Sequence, residues 1–182
     1  MGVLITIPKD RINIVHIDTH IDWRDSVGRV RLGYNSPMRR ASELQHVNRI
    51  IQVGLRAQGS ARETEVQDAF AYGDELITAY DVHKNGMTPI LERIPKNESC
   101  YLTIDADGCD PSIMPAVTGP APGGLRFHQL RELIHGIGRT GNLIGMDIVE
   151  ITPAFDLDGI SALTAGQLIL NFIGTCVRAE SS

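Results

Sequence analysis

The chain has 182 residues, 42% hydrophobic and 21% charged, with 17 basic against 22 acidic side chains and a formal net charge of −5. That length and composition suit one globular domain over residues 1–182 with a real core, and they exclude a disordered chain. A mildly acidic balance offers no broad electrostatic footprint for nucleic acid or an anionic membrane, so neither is expected as a partner.

The opening Met1 to Asp10 lacks the basic region and small-residue cleavage site of a secretory leader. It matches the loose pattern Met-Gly-x-x-x-Thr for myristoylation, but no polybasic second signal follows. Next comes Ile12 to Ile17, a β-branched run that predicts a first strand and ends in Asp18-Thr19-His20-Ile21-Asp22. Ile50 to Leu55 predicts a second strand, and a helix is expected from about Ser60 to Tyr72. Leu76 to Tyr80 reads as a weaker third strand, followed by a helix from Thr88 to Ile94. Tyr101 to Ile104 is the fourth strand and runs into Asp105-Ala106-Asp107-Gly108-Cys109-Asp110-Pro111. A helix over Phe127 to Ile137 leads to Leu143 to Met146 with Ile148 and Val149, the fifth strand, which carries Asp147 and Glu150. Ser161 to Val177 closes the chain as a helix. No run approaches the 18 consecutive apolar residues of a membrane span. Cys100, Cys109 and Cys176 are odd in number and widely spaced, so neither a disulfide framework nor a zinc cluster is expected, and a reducing cytoplasm is the expected location. Strands alternating with helices give an α/β fold, a mostly parallel sheet between two helical layers.

Three of these strands end in acidic residues, and ligands of an open parallel sheet bind beyond its carboxyl ends. Residues i, i+2 and i+4 of an extended segment share a face, so Asp18, His20 and Asp22 converge, as do Asp105 and Asp107. Four packed carboxylates repel and stay ionised together only when cations neutralise them. An oxygen-rich set with one imidazole suits a hard or borderline divalent ion such as Mn²⁺, and two ions sharing carboxylates fit the ligand count. Each element has a plain structural alternative: a lone Asp-x-Asp is a common turn or N-cap, and a lone Glu150 a common surface charge. The same holds for His16, read as a core histidine, and for His128 and His135, read as surface or packing residues.

Taken together, the motifs resemble those of the ureohydrolase family of arginase, agmatinase and guanidinobutyrase. Asp18 to Asp22 matches Asp-Ala-His-x-Asp, Asp105 to Pro111 matches Asp-x-Asp-x-x-Asp-Pro, and Asp147 to Pro153 matches Asp-x-x-Glu-x-x-Pro. Pro120 to Gly124 also fits, and Ser36 to Ala41 with Gly54-Leu55-Arg56 is similar to the agmatinase-like branch. The resemblance implies an arginase-like three-layer sandwich and release of urea from a linear guanidino compound, agmatine or a guanidino acid. It implies that Asp18 and Asp105 bridge two Mn²⁺ ions, that His20 and Asp107 complete one ion's ligands, and that Asp22 binds the other while hydrogen-bonding the bridging hydroxide. Glu150 would pair with the substrate guanidinium in a bidentate fork, placing its carbon above the metals. Family members commonly form trimers or hexamers, so a homo-oligomer is expected if the sheet is complete.

Two departures from the family pattern stand out. No Gly-Gly-x-His motif precedes Asp18, so one metal would lack its imidazole and the sheet its initial strands; the expectation is an N-terminally incomplete enzyme with impaired turnover and an exposed sheet edge. Leu32 stands where the family usually places a histidine before the glycine of Arg31-Leu32-Gly33-Tyr34. Two rival readings are a non-catalytic family remnant or subunit and a Mg²⁺-dependent phosphoryl-transfer protein using Asp105 and Asp107, which leaves Asp18, His20, Asp22 and Glu150 without roles. Arg29, Arg31, Arg39 and Arg40 either steer an anionic group or form a mixed-charge face with Asp25 and Glu43.

Overall fold

The structure, a computed structural model, describes residues 11–140 and 142–180. The leader and myristoylation signals of the opening ten residues lie outside the described residues. Five strands form one sheet: β1 (Ile12–Ile17), β2 (Val47–Leu55), β3 (Glu75–Thr78), β4 (Ser99–Asp105) and β5 (Asn142–Val149), in the order β3-β2-β1-β4-β5. Every neighbouring pair is parallel. β1 lies at the centre and all six of its residues are buried.

Alternation along β1 divides the interior in two. Val15 and Ile17 face a core that includes Ile51, Val53, Leu102 and Ile104. Ile12 and Ile14 face the other, with Trp23, Met38, Ile50 and Tyr101. Helices cover both faces, which makes the three-layer sandwich. They are α1 (Pro37–Ser42), α2 (Glu63–Tyr72), α3 (Ala79–Asn85), α4 (Thr88–Leu91), α5 (Phe127–Thr140) and α6 (Ile160–Glu180). α5 buries Leu130, Leu133, Ile134 and Ile137, the spacing of one helical stripe.

Some boundaries differ from the sequence expectation for local reasons. The third strand stops at Thr78, whose side-chain oxygen accepts from the Asp81 amide and caps α3; Ala79 and Tyr80 are therefore helical. α2 starts at Glu63 because Glu65 Oε2 accepts from the Arg62 amide at 2.9 Å, which fixes the entry turn there. α4 ends at Leu91, short of Ile94.

α6 corrects the expectation that no stretch is long and apolar enough to cross a membrane. Ile160–Arg178 spans 19 residues at a mean hydropathy of 1.6. Its polar residues up to Val177 are uncharged (Ser, Thr, Gln, Asn), so they break the apolar run without lowering hydropathy far. The helix lies on α5 and β5 and buries Ser161, Thr164, Ala165, Leu168 and Thr175. Leu163, Leu170, Ile173 and Val177 are exposed. Among the described residues β5 pairs only with β4, so it forms one edge of the sheet.

Candidate metal centre and cleft

The carboxyl ends of β1 and β4 come together because the backbones touch. A Cβ on Gly108 would lie 2.7 Å from the Asp18 amide nitrogen and 2.8 Å from its Cα, so only glycine allows the approach. Arg56, just past β2, holds the same corner. Its guanidinium donates to the carbonyls of Gly54 at 2.9 Å, Asp107 at 2.6 Å and Ala121 at 2.8 Å, with longer contacts to Gly108 and Cys109. A turn of 3-10 helix at Ala106–Gly108 begins where Asp105 Oδ1 accepts the Asp107 amide at 3.0 Å.

Asp18 is the centre of the cluster and is 1% exposed. Its Oδ1 accepts the His20 amide at 2.7 Å and lies 3.2 Å from His20 Nδ1. His20 Nδ1 is also 3.4 Å from Asp107 Oδ2. The other oxygen, Asp18 Oδ2, lies 3.1 Å from His16 Nε2 and is buried without a hydrogen-bond partner among the described residues. Among the described residues, two sets of three side chains bring their ligand atoms within 4.8 Å of one another: His16, Asp18 and Asp22, and Asp18, His20 and Asp107. Both sets contain Asp18. Asp105 and Glu150 belong to neither, but they line the same cleft of about 540 Å³ with His20, Asp22 and Asp107. Asp22 and Glu150 both hold positive φ, 46° and 61°.

The electrostatics fit added cations. Burial, then the charge on Asp18, pushes Asp22 and Asp105 above the carboxylate range, and Asp107 rises for the same reasons. Burial would also raise Asp18, but the imidazoles of His16 and His20 reverse this and hold it well below the usual range. The Asp18 hydrogen bond raises His20 to about 9 against its burial. Burial lowers His16, and the Asp18 carboxylate outweighs that, bringing it to about 9 as well. The cluster thus draws positive charge onto its histidines, and a buried carboxylate oxygen stands without a partner. An oxygen-rich donor set with imidazole in that state fits divalent cations.

Five of the six residues expected at the site (His20, Asp22, Asp105, Asp107 and Glu150) line one cleft, and Asp18 is buried beside His20 and Asp107. Leu32 is 78% exposed and lies outside the cleft lining, whereas Tyr34 lies within it. Arg31, Arg39 and Arg40 pair with Asp25, Glu43 and Asp68, which makes a mixed-charge face. His128 rests edge-on to Phe127, and His135 bonds Asn171 on α6. Three participants had been given no role at the site: His16, Arg56 and Asp147, whose Oδ2 accepts the Tyr101 hydroxyl at 3.0 Å. His16 was legible by parity, since it precedes Asp18 by two in an extended segment. Arg56 was not, because its partners are backbone carbonyls that no sequence pattern marks.

A family model described as Arginase family matches residues 2–174. A guanidinobutyrase of Pseudomonas aeruginosa is 30% identical over 90% of this chain and 52% of its own length. An N(1)-aminopropylagmatine ureohydrolase of Thermus thermophilus is 33% identical over 89% of this chain and 53% of its own. The agmatine ureohydrolase structure of Thermoplasma volcanium superposes with a TM-score of 0.84 at 30% identity, covering 99% of this chain and 59% of that one. The chain spans about half the length of the curated relatives it matches.

Proposed function

The chain belongs to the arginase family, and from that premise we propose that it hydrolyses a linear guanidino compound, agmatine or a guanidino acid, to urea and an amine at a pair of Mn²⁺ ions. The observation that carries this reading is the pair of donor sets sharing the buried Asp18, beside a cleft lined by His20, Asp22 and Asp107. Asp18, His20, Asp22, Asp105 and Asp107 are the side chains that would hold the ions. Two bound cations supply hydroxide at neutral pH by lowering the pKa of water.

The chain's own groups position the substrate. Glu150 projects from the residue after β5, across the cleft from β1, and accepts two parallel N–H bonds from the guanidinium. That pairing fixes the plane of the guanidinium, so its carbon presents one face to the carboxylate cluster. Asp22 accepts the proton of the attacking water and returns it to the departing amine nitrogen. Trp23 and Tyr34 border the cleft and limit water around the reacting carbon. Names among the relatives include guanidinobutyrase and aminopropylagmatine ureohydrolase, so substrates with an acidic or a basic far end both fit the family.

A second reading is a family member with a slow or silent site, and Leu32 is the observation that favours it. One assay separates the two. Protein loaded with Mn²⁺ is given agmatine or 4-guanidinobutyrate and urea is measured. Mn²⁺-dependent urea that disappears in Asp105→Asn and Glu150→Gln supports the enzyme; two bound ions without urea supports the silent site.

A further inference from the structure

His16 enters none of the steps above, yet it is 3% exposed and faces the cluster from the centre of the sheet. Its ring is held at both nitrogens. On one side, Nδ1 lies 3.2 Å from Gln52 Oε1, and the two residues are in register across β1 and β2. Gln52 in turn donates Nε2 to Asp74 Oδ2. Gln52 thus gives Asp74 its amide N–H and turns its carbonyl toward His16. A carbonyl facing Nδ1 requires the ring proton there. The lone pair of the neutral ring is then on Nε2, which lies 3.1 Å from Asp18 Oδ2.

A neutral Nε2 this close to a carboxylate oxygen is repelled by it unless a proton or a metal ion lies between them. Asp18 Oδ2 is buried and has no hydrogen-bond partner. Nε2 and the carboxylate oxygens of Asp18 and Asp22 lie within 4.8 Å of one another, close to the spacing of ligands around one ion. Metal-bound imidazoles commonly have the other ring N–H fixed by an acceptor, and Gln52 backed by Asp74 supplies that acceptor.

We propose that His16 is a metal ligand, its Nε2 joining Asp18 and Asp22 around one borderline divalent cation while Asp18, His20 and Asp107 hold the second. Gln52 and Asp74 are positioning residues that fix the tautomer. The inference rests on the two-cation reading above and supplies an imidazole to each ion from within β1 and the residues that follow it.

Pulsed EPR on Mn²⁺ bound to ¹⁵N-histidine protein tests this, because a coordinated nitrogen gives a coupling that a hydrogen-bonded ring does not. In His20→Ala loaded with one equivalent of Mn²⁺, one coordinated nitrogen should remain, and adding His16→Gln should abolish it. Mn²⁺ bound to His20→Ala with no coordinated nitrogen would overturn the proposal. If that variant fails to fold, the native protein holding two ions must show two coordinated nitrogens, and one alone overturns the proposal. Gln52→Leu, read by calorimetry with Mn²⁺, should weaken one of the two sites by roughly 10- to 100-fold. The two readings fail separately: both nitrogens without urea release sinks the ureohydrolase and leaves His16 a ligand, and urea release with His20 as the one coordinated ring does the reverse.

Discussion

Asp22 and Glu150 share a backbone that L-residues avoid, φ 46° and 61°, and both face the cleft. Such conformations cost on the order of 1 kcal/mol or more each and persist where surrounding structure holds them. At Asp22 the hold is visible: its carbonyl accepts the Arg39 amide at 3.2 Å, at the start of α1. Gly108 is the other residue on which the geometry turns. Gly108→Ala should force β4's exit away from Asp18, costing roughly 1–3 kcal/mol in urea denaturation and weakening Mn²⁺ binding by calorimetry. Asp74 gives a pH signature away from the cluster. Burial, partly offset by the Gln52 hydrogen bond, lifts its carboxyl to about 7 from an unfolded value near 3.8. Between those values the folded chain keeps a proton that the unfolded chain has lost, so stability falls as pH rises through that window. Asp74→Asn retains an acceptor for Gln52 and should flatten the difference in unfolding free energy between pH 5 and pH 8. The acidic cluster was legible from its spacing, although not as an extended chain: β1 ends at Ile17, Asp22 has φ 46° and Asp107 lies in a 3-10 turn. His16 was passed over because a lone imidazole in a strand looks like core until its neighbour across the sheet is known.

Elements read well from the sequence where their residues had one use. Ile12 to Ile17 is β-branched and uninterrupted, and the strand has those bounds. Leu76 to Tyr80 read as a weaker strand, and the Thr78 cap turned its last two residues into α3. α1, six residues behind Ser36-Pro37, is too short to show a periodicity. The loops around the cleft depend on one side chain. Arg56→Met would strip charged donors from several partly buried carbonyls and should cost roughly 2 kcal/mol or more, with Mn²⁺ affinity falling alongside stability. α6 presents the opposite case, an apolar surface without internal use. Leu170→Glu with Ile173→Lys should change unfolding free energy by no more than about 0.5 kcal/mol. If the expected homo-oligomer uses this face, sedimentation should show less self-association in that variant than in the native chain.

At the scale of the whole molecule, the sheet order explains why distant segments meet. Asp18 follows β1, Asp105 ends β4 and Glu150 follows β5, and these three strands are consecutive neighbours. That adjacency was not readable from the chain, where about forty or more residues separate each motif from the next; the resemblance supplied it. Metal should stabilise the entire fold, because the cluster's repulsion is absent once cations neutralise it. Mn²⁺ at a thousand times its dissociation constant should add about 4 kcal/mol for one site, seen as a rise in Tm that a chelator reverses.

On the reading proposed above, the ions and the substrate would be held by different parts of this sheet. Their ligands leave β1 and β4, which have partners on both sides, while Glu150 follows β5, which among the described residues is bonded on one side only. Central strands open last and edges first in native-state hydrogen exchange. A partly opened molecule would therefore keep its metals and let go of the guanidinium, so warming should raise KM well before it releases Mn²⁺.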